Sequence, residues 1–267
     1  INYLSKNKNL KIVGYGASAT TTTLISHFKL NKIFNYLVDE NPGKINTFSP
    51  GFHIPVYSVK KLKIDKPNII VFITESYGRE YMGAFNQNTT IPNYVSYTPF
   101  LDSLASKSLV FDNAFANGRK SIHGMSSILA GIPSFKDAFT SSAYAKQNIE
   151  SVVSVLNSEG YDTSFFHGAP NGSMGFLGFS NILGFDHYYG KTEFGNDALF
   201  DGFWGIWDLP FFQFMKETID TKKTPFFSTI FTVTSHEPYI IPDEFEGQFP
   251  KGNVPMHQCV GYTDYAF

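Results

Sequence analysis

The chain has 267 residues, of which 42% are hydrophobic and 16% charged, and its formal net charge is −2. This composition is typical of a soluble globular protein and leaves little room for extensive disorder. The slightly acidic balance argues against a nucleic-acid-binding protein, and the single cysteine, Cys259, excludes a disulfide framework. No apolar run approaches the roughly 20 residues of a membrane-spanning helix, and no signal-peptide pattern is present, so a soluble chain is expected.

Charge divides the chain into two unlike pieces. Residues 1–65 hold nine lysines and three acidic residues, a balance of +6, so the remainder carries −8. The charged stretch "KLKIDKPN", residues 61–68, includes Pro67 and precedes a new apolar run. We therefore predict two domains, 1–65 and 66–267.

The first piece has the order strand, tight turn, helix, strand. An apolar run ends in Gly14 and Gly16, "TTTLISHF" continues as a predicted helix, and a second strand ends at Asp39. In dinucleotide-binding proteins such glycines permit the turn, the helix N-terminus attracts phosphate and the acidic residue binds a ribose. Gly14, Gly16 and Asp39 are thus candidate nucleotide ligands, and the alternative is a βαβ unit without a ligand.

The stretch from "GYGASATTTTLISHF" to "FHIPVYSV" also resembles the C-terminal, Rossmann-like domain of sugar C-methyltransferases. The resemblance covers about residues 9–60 and includes no methyl-transfer residues. It implies a fold for the first piece and no activity.

The second piece opens with "PNIIVFITESYG", residues 67–78, a continuous apolar run that ends at Glu75. Such a run predicts a strand buried on both faces of a sheet in an α/β protein. Ligands of these sheets bind at the C-terminal ends of the strands. A carboxylate there needs a partner, either a hard metal ion or protein donors such as backbone N–H groups, and the position alone leaves both open.

The next predicted elements are an amphipathic helix in "TPFLDSLA", a strand "SLVFDNAF" at 108–115, and a helix that starts at Ser121. A serine at a helix start either caps the helix or lies where the helix dipole and free N–H groups bind a phosphate or sulfate. Arg119 and Lys120 favour anion binding. No GxSxG elbow surrounds Ser121, which disfavours an α/β-hydrolase triad.

Two histidines follow predicted strands further along the chain. "SVVSVLNSEGYDTSFFHG" predicts a helix, a glycine turn and a strand that ends at His167, and "PFFSTIFTVTSHEPY" predicts a buried strand ending in His236. With Glu75 and Ser121, these residues lie at element ends that face one crevice in an α/β sheet. Their combination predicts a functional site.

Several stretches of residues 66–267, in order, resemble the sulfatase/alkaline-phosphatase superfamily: "PNIIVFITESYG", "TPFLDSLASKSLVFDNAFANGRKSIHGMSSILAGIP", "GYDTSFFHG", "PFFSTIFTVTSHEPY" and "GYTDYAF". They are most similar to the branch of lipoteichoic acid synthases and phosphoglycerol transferases. The resemblance implies an alkaline-phosphatase-like α/β fold, a mixed sheet flanked by helices, preceded here by the Rossmann-like unit. The family is membrane-anchored with an extracytoplasmic catalytic domain.

The resemblance also implies roles for individual residues. Glu75 matches the metal-binding Glu, Ser121 the nucleophile that also contacts the metal, and His236 a substrate-contacting His. His167, Arg119 and Asn171 are further substrate-binding candidates. A divalent ion, Mn²⁺ or Mg²⁺, would activate Ser121 for in-line attack on a phospholipid-like phosphodiester, which gives a covalent phosphoseryl intermediate.

The chain departs from the family at two places. Met174 and Phe176 stand where lipoteichoic acid synthases carry a Trp and an Arg. The family completes its metal site with an Asp-His pair beyond the "YTDYA" block, which here ends at Phe267. Glu75 and Ser121 alone make a poor site for an ion that takes four to six ligands, so we expect weak metal binding and little turnover.

Two alternatives to a phosphotransferase stay open. One is a hydrolase of the same superfamily that acts on phosphate or sulfate esters, although the C/S-x-P-S-R motif of true sulfatases is absent around Ser121. The other is a non-catalytic fused fragment that binds a nucleotide through residues 14–19.

Overall fold

The computed structural model describes residues 13–15, 17, 25–26, 31–62, 66–134 and 137–267. The chain divides into two compact units, Ile1–Lys66 and Pro67–Phe267, and the described residues of each form a four-stranded sheet. The predicted α/β class is confirmed. A search of the described residues for a helix both long and apolar enough to span a bilayer finds no such helix.

The sheet of the first unit has the strand order β1-β2-β4-β3, with β1 (Val13–Tyr15), β2 (Tyr36–Asp39), β3 (Thr47–Phe48) and β4 (Pro55–Ser58). β2 pairs in parallel with β1 and β4, whereas β3 is antiparallel to β4. All residues of β2 are buried, as expected of a central strand. The predicted strand ending at Asp39 is confirmed. Residues 25–26 are helical, and the rest of the predicted helix lies outside the described residues.

The sheet of the second unit is parallel throughout and has the order β5-β8-β6-β7. Its strands are β5 (Ile69–Ile73), β6 (Asp162–His167), β7 (His187–Tyr189) and β8 (Phe226–Phe231). The two inner strands, β6 and β8, are almost completely buried. Since side chains alternate along a strand, Phe165 packs in one hydrophobic cluster and Phe166 in another.

Helices cover the parallel sheet, as crossover connections require. The helices described in this unit are α1 (Pro99–Ala105), α2 (Ser121–Ala130), α3 (Val152–Ser158), α4 (Phe176–Leu183), α5 (Lys191–Phe194), α6 (Asp208–Asp220) and α7 (Met256–Ala266). Short 3₁₀ turns occupy Val59–Lys61, Arg79–Tyr81, Gly83–Phe85, Phe139–Ser141, Ala143–Lys146, Ser173–Gly175, Asp197–Leu199 and Asp243–Phe245.

The prediction that β5 is buried on both faces is wrong. Among the described strands β5 pairs with β8 alone, and Ile70 and Phe72, which lie on the same face of β5, are 41% and 45% exposed. The run of apolar residues identifies a strand but does not show whether both of its faces are covered.

The predicted strand at 108–115 does not form. This segment is irregular with a turn at residues 112–113, all its residues are exposed, and Phe115 is 91% exposed. The Arg79 guanidinium donates to the backbone carbonyl of Asp112 at 2.5 Å. An alternating apolar pattern forms a strand only where a partner strand is available, and the described residues provide none here.

The prediction that the last buried strand reaches His236 is also wrong, because β8 ends at Phe231. His236 instead lies in the turn that follows β8. The backbone N–H of His236 donates to the carbonyl of Val233 at 3.1 Å, and that of Tyr239 donates to the carbonyl of His236 at 2.9 Å. The turn therefore holds the His236 backbone at both ends.

Candidate functional site

Glu75 lies just beyond the end of β5 and is fixed there by the loop that follows β8. Its backbone N–H donates to Thr232 Oγ1 at 2.8 Å, and Ser235 Oγ donates to its carbonyl at 2.6 Å. These loops meet because β5 and β8 are parallel neighbours whose C-terminal ends share one edge of the sheet. Glu75 is only 8% exposed, so its carboxylate is held in one place at the rim of the sheet.

Ser121 is the first residue of α2, and its hydroxyl does not cap the helix. Lys120 occupies the cap position and makes no side-chain capping bond. Ser121 Oγ instead donates to Glu75 Oε2 at 2.5 Å, while Ser76 Oγ donates to Oε1 at 2.7 Å. Hydrogen bonds to an ionised carboxylate are short and strong. The Ser121 hydroxyl is therefore oriented by Glu75 and has its oxygen lone pairs left for another partner.

A cavity of about 400 Å³ brings together four of the six site residues predicted in the second unit. Its lining consists of Glu75, Ser76, Arg119, Lys120, Ser121, Ile122, Met174, His236, Glu237 and Tyr239. A second cavity of about 530 Å³ shares Glu75, Arg119 and Ser121 and continues past the apolar side chains of Phe115 and Ile128. The site thus combines a polar compartment with an adjoining, more apolar one.

The N-terminus of α2 gives this cavity an electropositive wall. The first N–H groups of a helix have no partner within the helix, and the helix dipole places partial positive charge there. The Lys120 side chain at the N-cap position does not cap α2, and both Arg119 and Lys120, which precede the helix, are exposed. These features together make an anion-binding surface next to the Ser121 hydroxyl.

His236 contributes an imidazole to the same cavity. Its Nδ1 lies 3.0 Å from the carbonyl oxygen of Glu237. A carbonyl only accepts hydrogen bonds, so Nδ1 carries the proton of the neutral ring. Nε2 is then the nitrogen with a free lone pair, which can accept a proton from a bound hydroxyl group.

His167 and Asn171 do not line the cavity that contains Ser121. His167 is buried at the end of β6, with Nδ1 3.0 Å from the carbonyl oxygen of Phe231. Asn171 donates to both carboxylate oxygens of Glu193, at 3.0 and 2.9 Å. Each has a structural partner of its own, and their roles in substrate binding stay predictions.

The nucleotide candidates belong to the first unit. Asp39 accepts backbone N–H bonds from Ala17 at 2.7 Å and Asn41 at 2.8 Å, and the Lys44 ammonium lies 3.1 Å away. The Asn41 and Ala17 bonds and the Lys44 charge lower the pKa of Asp39 to about 2. Gly14 lies within β1, where a Cβ would come within 2.5 Å of the Leu37 side chain. Gly16 lies outside the described residues, so the nucleotide site stays a prediction.

Sequence reasoning missed three hydroxyl residues that hold Glu75, namely Ser76, Thr232 and Ser235. Ser76 has a backbone φ of 56°, a left-handed conformation that is uncommon outside glycine and clusters at functional sites. Ser76 and Ser235 each adjoin a residue that was identified, Glu75 and His236, so their position in the sequence was the available signal. Thr232 had no such signal.

The described residues do not fit a complete divalent-metal site. Glu75 and Ser121 place two side-chain groups together, whereas Mg²⁺ takes six ligands. Within the described ranges, no group of three or more His, Cys, Asp or Glu side chains could hold a metal ion. These residues would supply only part of the ligands of the divalent ion that the family resemblance implies.

Comparisons with protein families identify both pieces of the chain. The family model described as Sulfatase matches residues 67–265, and the model described as C-methyltransferase C-terminal domain matches residues 3–90. The resemblances inferred from the sequence are confirmed. The first match covers about three quarters of the chain and contains every residue of the cavity.

Solved structures show the same fold. A protein of the alkaline phosphatase superfamily from Vibrio parahaemolyticus is similar over 75% of this chain and 48% of its own, with 25% identity and a TM-score of 0.66. The lipoteichoic acid synthase from Listeria monocytogenes is similar over 75% of this chain and 50% of its own, with 21% identity and a TM-score of 0.63. The Streptococcus pyogenes phosphoglycerol transferase in complex with sn-glycerol-1-phosphate matches 78% and 59%, with 14% identity and a TM-score of 0.51. The chain spans about half the length of the first two.

Proposed function

Since the chain belongs to the sulfatase family, we propose that its second unit transfers a phosphoglycerol-type or related head group through a covalent phosphoseryl intermediate on Ser121. The proposal rests on one observation, the hydrogen bond from Ser121 Oγ to Glu75 inside a cavity that also contains Arg119 and His236. The similarity to a lipoteichoic acid synthase and a phosphoglycerol transferase supports the choice of head group.

In the first half-reaction, Ser121 Oγ attacks phosphorus and the bond from phosphorus to the leaving oxygen breaks. Ser121 gives up its proton along the hydrogen bond to Glu75 Oε2, which already orients the hydroxyl. The leaving oxygen takes a proton from Nε2 of His236, which beforehand takes that proton up from water at its free lone pair. The N–H groups at the start of α2, with Arg119, stabilise the charge that develops on the phosphoryl oxygens.

In the second half-reaction, an acceptor alcohol attacks phosphorus and Ser121 leaves. His236 Nε2 removes the proton of the acceptor, and Ser121 recovers its own from Glu75, so that the site returns to its starting state. Water as the acceptor would make the same site a phosphoric-ester hydrolase. The nature of the acceptor therefore separates a transferase from a hydrolase.

The metal ion implied by the family enters none of these steps. A divalent ion such as Mn²⁺ or Mg²⁺ would polarise a phosphoryl oxygen and assist ionisation of a hydroxyl. Glu75 and Ser121 are the residues of this chain that would contact it, and they do not complete its coordination.

Met174 is the side chain of the cavity that we expect to contact the head group. It lines the cavity with Ser121 and has a backbone φ of 51°, so its position is fixed by an unusual turn. A thioether offers a polarisable apolar surface and no strong hydrogen-bond donor. We infer that this wall of the cavity contacts the carbon skeleton of the head group and not its phosphate.

The experiment is intact-mass spectrometry of the purified chain after incubation with vesicles that contain phosphatidylglycerol, with and without Mn²⁺. We expect a mass increase equal to one phosphoglycerol group, located on Ser121 by peptide mapping, and its loss in Ser121→Ala. Ser126→Ala is the matched control, because Ser126 lies in the same helix, lines neither cavity, and its hydroxyl donates to the backbone carbonyl of His123 at 3.4 Å.

Four outcomes are decisive. An adduct on Ser121 that forms and then disappears upon addition of an alcohol supports the transferase, whereas one that disappears in water alone supports the hydrolase. An adduct that persists in Ser121→Ala, or turnover of the phospholipid by that variant at the wild-type rate, would refute the proposal.

A further inference from the structure

We propose that Trp204 is a positioning residue for His236, which it holds in one orientation and one tautomer with Nε2 available to a ligand. Trp204 lies in the loop between the 3₁₀ turn Asp197–Leu199 and helix α6. It does not line the cavity, so it acts through His236. The inference rests on the proposed function only for its effect on turnover, since the orientation and tautomer of His236 are properties of the free chain.

The loop that carries Trp204 is rigid. One carboxylate oxygen of Asp201 accepts three successive backbone N–H bonds, from Phe203 at 2.8 Å, Trp204 at 2.7 Å and Gly205 at 3.0 Å. The backbone N–H of Asp201 donates in return to the carbonyl of Gly205 at 2.8 Å. These bonds close the loop on itself and fix the backbone from which the Trp204 side chain projects.

The loop is also anchored to the end of β6. The backbone N–H of Ile206 donates to the carbonyl of Gly168 at 3.0 Å. At Gly205, a Cβ would lie 2.8 Å from that same carbonyl oxygen, so only glycine permits this close approach. Trp204 is therefore presented from a loop that the central sheet supports.

Trp204 contacts His236 in two ways. The centroids of the indole and imidazole rings are 4.0 Å apart, with the rings inclined by 41°. The indole Nε1–H also donates to the carbonyl oxygen of Glu237 at 2.5 Å, the same oxygen that lies 3.0 Å from His236 Nδ1. Trp204 thus fixes both the plane of the imidazole and the carbonyl that the imidazole binds.

This arrangement has a chemical consequence. Because the Glu237 carbonyl can only accept, it selects the tautomer with the proton on Nδ1. Nε2 of His236 is thereby left as the nitrogen that exchanges a proton with the substrate, which is the task that the proposed transfer reaction gives it.

The test is long-range ¹H–¹⁵N NMR of the ¹⁵N-histidine-labelled full chain, with His236 assigned by its loss in His236→Gln. We expect wild-type His236 in the Nδ1–H tautomer, a mixture of the two tautomers in Trp204→Leu, and an intermediate result in Trp204→Phe, which keeps a ring but lacks the N–H. Trp207→Phe is the control, since Trp207 contacts Tyr262. An unchanged His236 tautomer in Trp204→Leu, or the Nε2–H tautomer in the wild type, would overturn the inference.

Turnover of phosphatidylglycerol provides a second measurement. Loss of a general base lowers a rate by about 100-fold or more, which we expect for His236→Gln, and about tenfold for Trp204→Leu through misplacement of the ring. The double variant should be no slower than His236→Gln alone, because both changes act through one imidazole. A double variant whose loss of turnover equals the product of the two single losses would contradict the inference. If the wild-type chain has no turnover, the proposed function fails while the tautomer measurement still decides the role of Trp204.

Discussion

His167 makes the stability of the second unit sensitive to mildly acidic pH. It is 2% exposed, packs against the rings of Phe176 and Phe231, and has no hydrogen-bond partner for Nε2 among the described residues. Desolvation lowers the pKa of His167 from 6.5 to about 4, against the opposing effect of the bond to the Phe231 carbonyl. The folded unit therefore holds this histidine neutral at pH values where the unfolded chain would protonate it.

The size of the effect follows from these two values. The unfolded chain takes up the proton near pH 6.5 and the folded unit only near pH 4. The unfolding free energy therefore falls as the pH drops through this interval, whereas above it the full contribution of the neutral histidine is retained. The whole interval corresponds to about 3 kcal/mol of unfolding free energy, of which about 2 kcal/mol is lost by pH 5. This is a large part of the 5–15 kcal/mol typical of a folded domain.

The assay is urea unfolding at pH 8 and pH 5, followed by tryptophan fluorescence, because the only tryptophans, Trp204 and Trp207, both lie in the second unit. His167→Asn removes the titration but keeps an N–H group for the Phe231 carbonyl. Between pH 8 and pH 5, we expect the unfolding free energy of the wild type to fall by about 2 kcal/mol more than that of this variant. His187→Asn, at an exposed histidine, should behave like the wild type. Equal losses in the wild type and His167→Asn would refute the reasoning.

Three further predictions concern the core, the first unit and the site. Phe165→Ala should lower the unfolding free energy by about 3–5 kcal/mol in urea titrations, because its ring is fully buried. Since hydrogen bonds lower the pKa of Asp39 to about 2, the first unit should lose stability as the pH falls from about 4 towards 2. Amide hydrogen exchange in β2 measures this loss, and Asp39→Asn should make the measured stability less dependent on pH. Ser235→Ala removes the bond to the Glu75 carbonyl and should lower phosphatidylglycerol turnover about tenfold. Ser126→Ala, at a serine that lines neither cavity, should leave turnover unchanged.

The residues at the heart of the site were predictable because their signal is local. A strand followed by Glu75, and a helix that begins at Ser121, can each be identified from a short window of sequence. Parallel strands direct their C-terminal ends to one edge, which is sufficient to expect these residues near His236. The cavity contains all three.

The position of His167 was not predictable from its place at a strand end alone. Side chains alternate along β6, so His167 lies on the same face as Phe165 and packs against Phe176 and Phe231 in the core. A histidine at the end of a strand gives the same sequence pattern whether its ring enters the core or a cavity. The prediction of a strand at 108–115 failed for a similar reason, because strand formation depends on a partner strand from elsewhere in the chain.

The bond between Glu75 and Thr232 joins residues 157 positions apart. Strands β5 and β8, which bring them together, are separated by almost the whole of the second unit. Closing so long a loop is entropically unfavourable, and pairings of high contact order make folding slow. During synthesis, residues near position 75 leave the ribosome long before those near 232, so the bond from Glu75 to Thr232 can form only late. Newly made chains therefore pass through a period in which Ser121 is already synthesised but Glu75 is not yet held beside it.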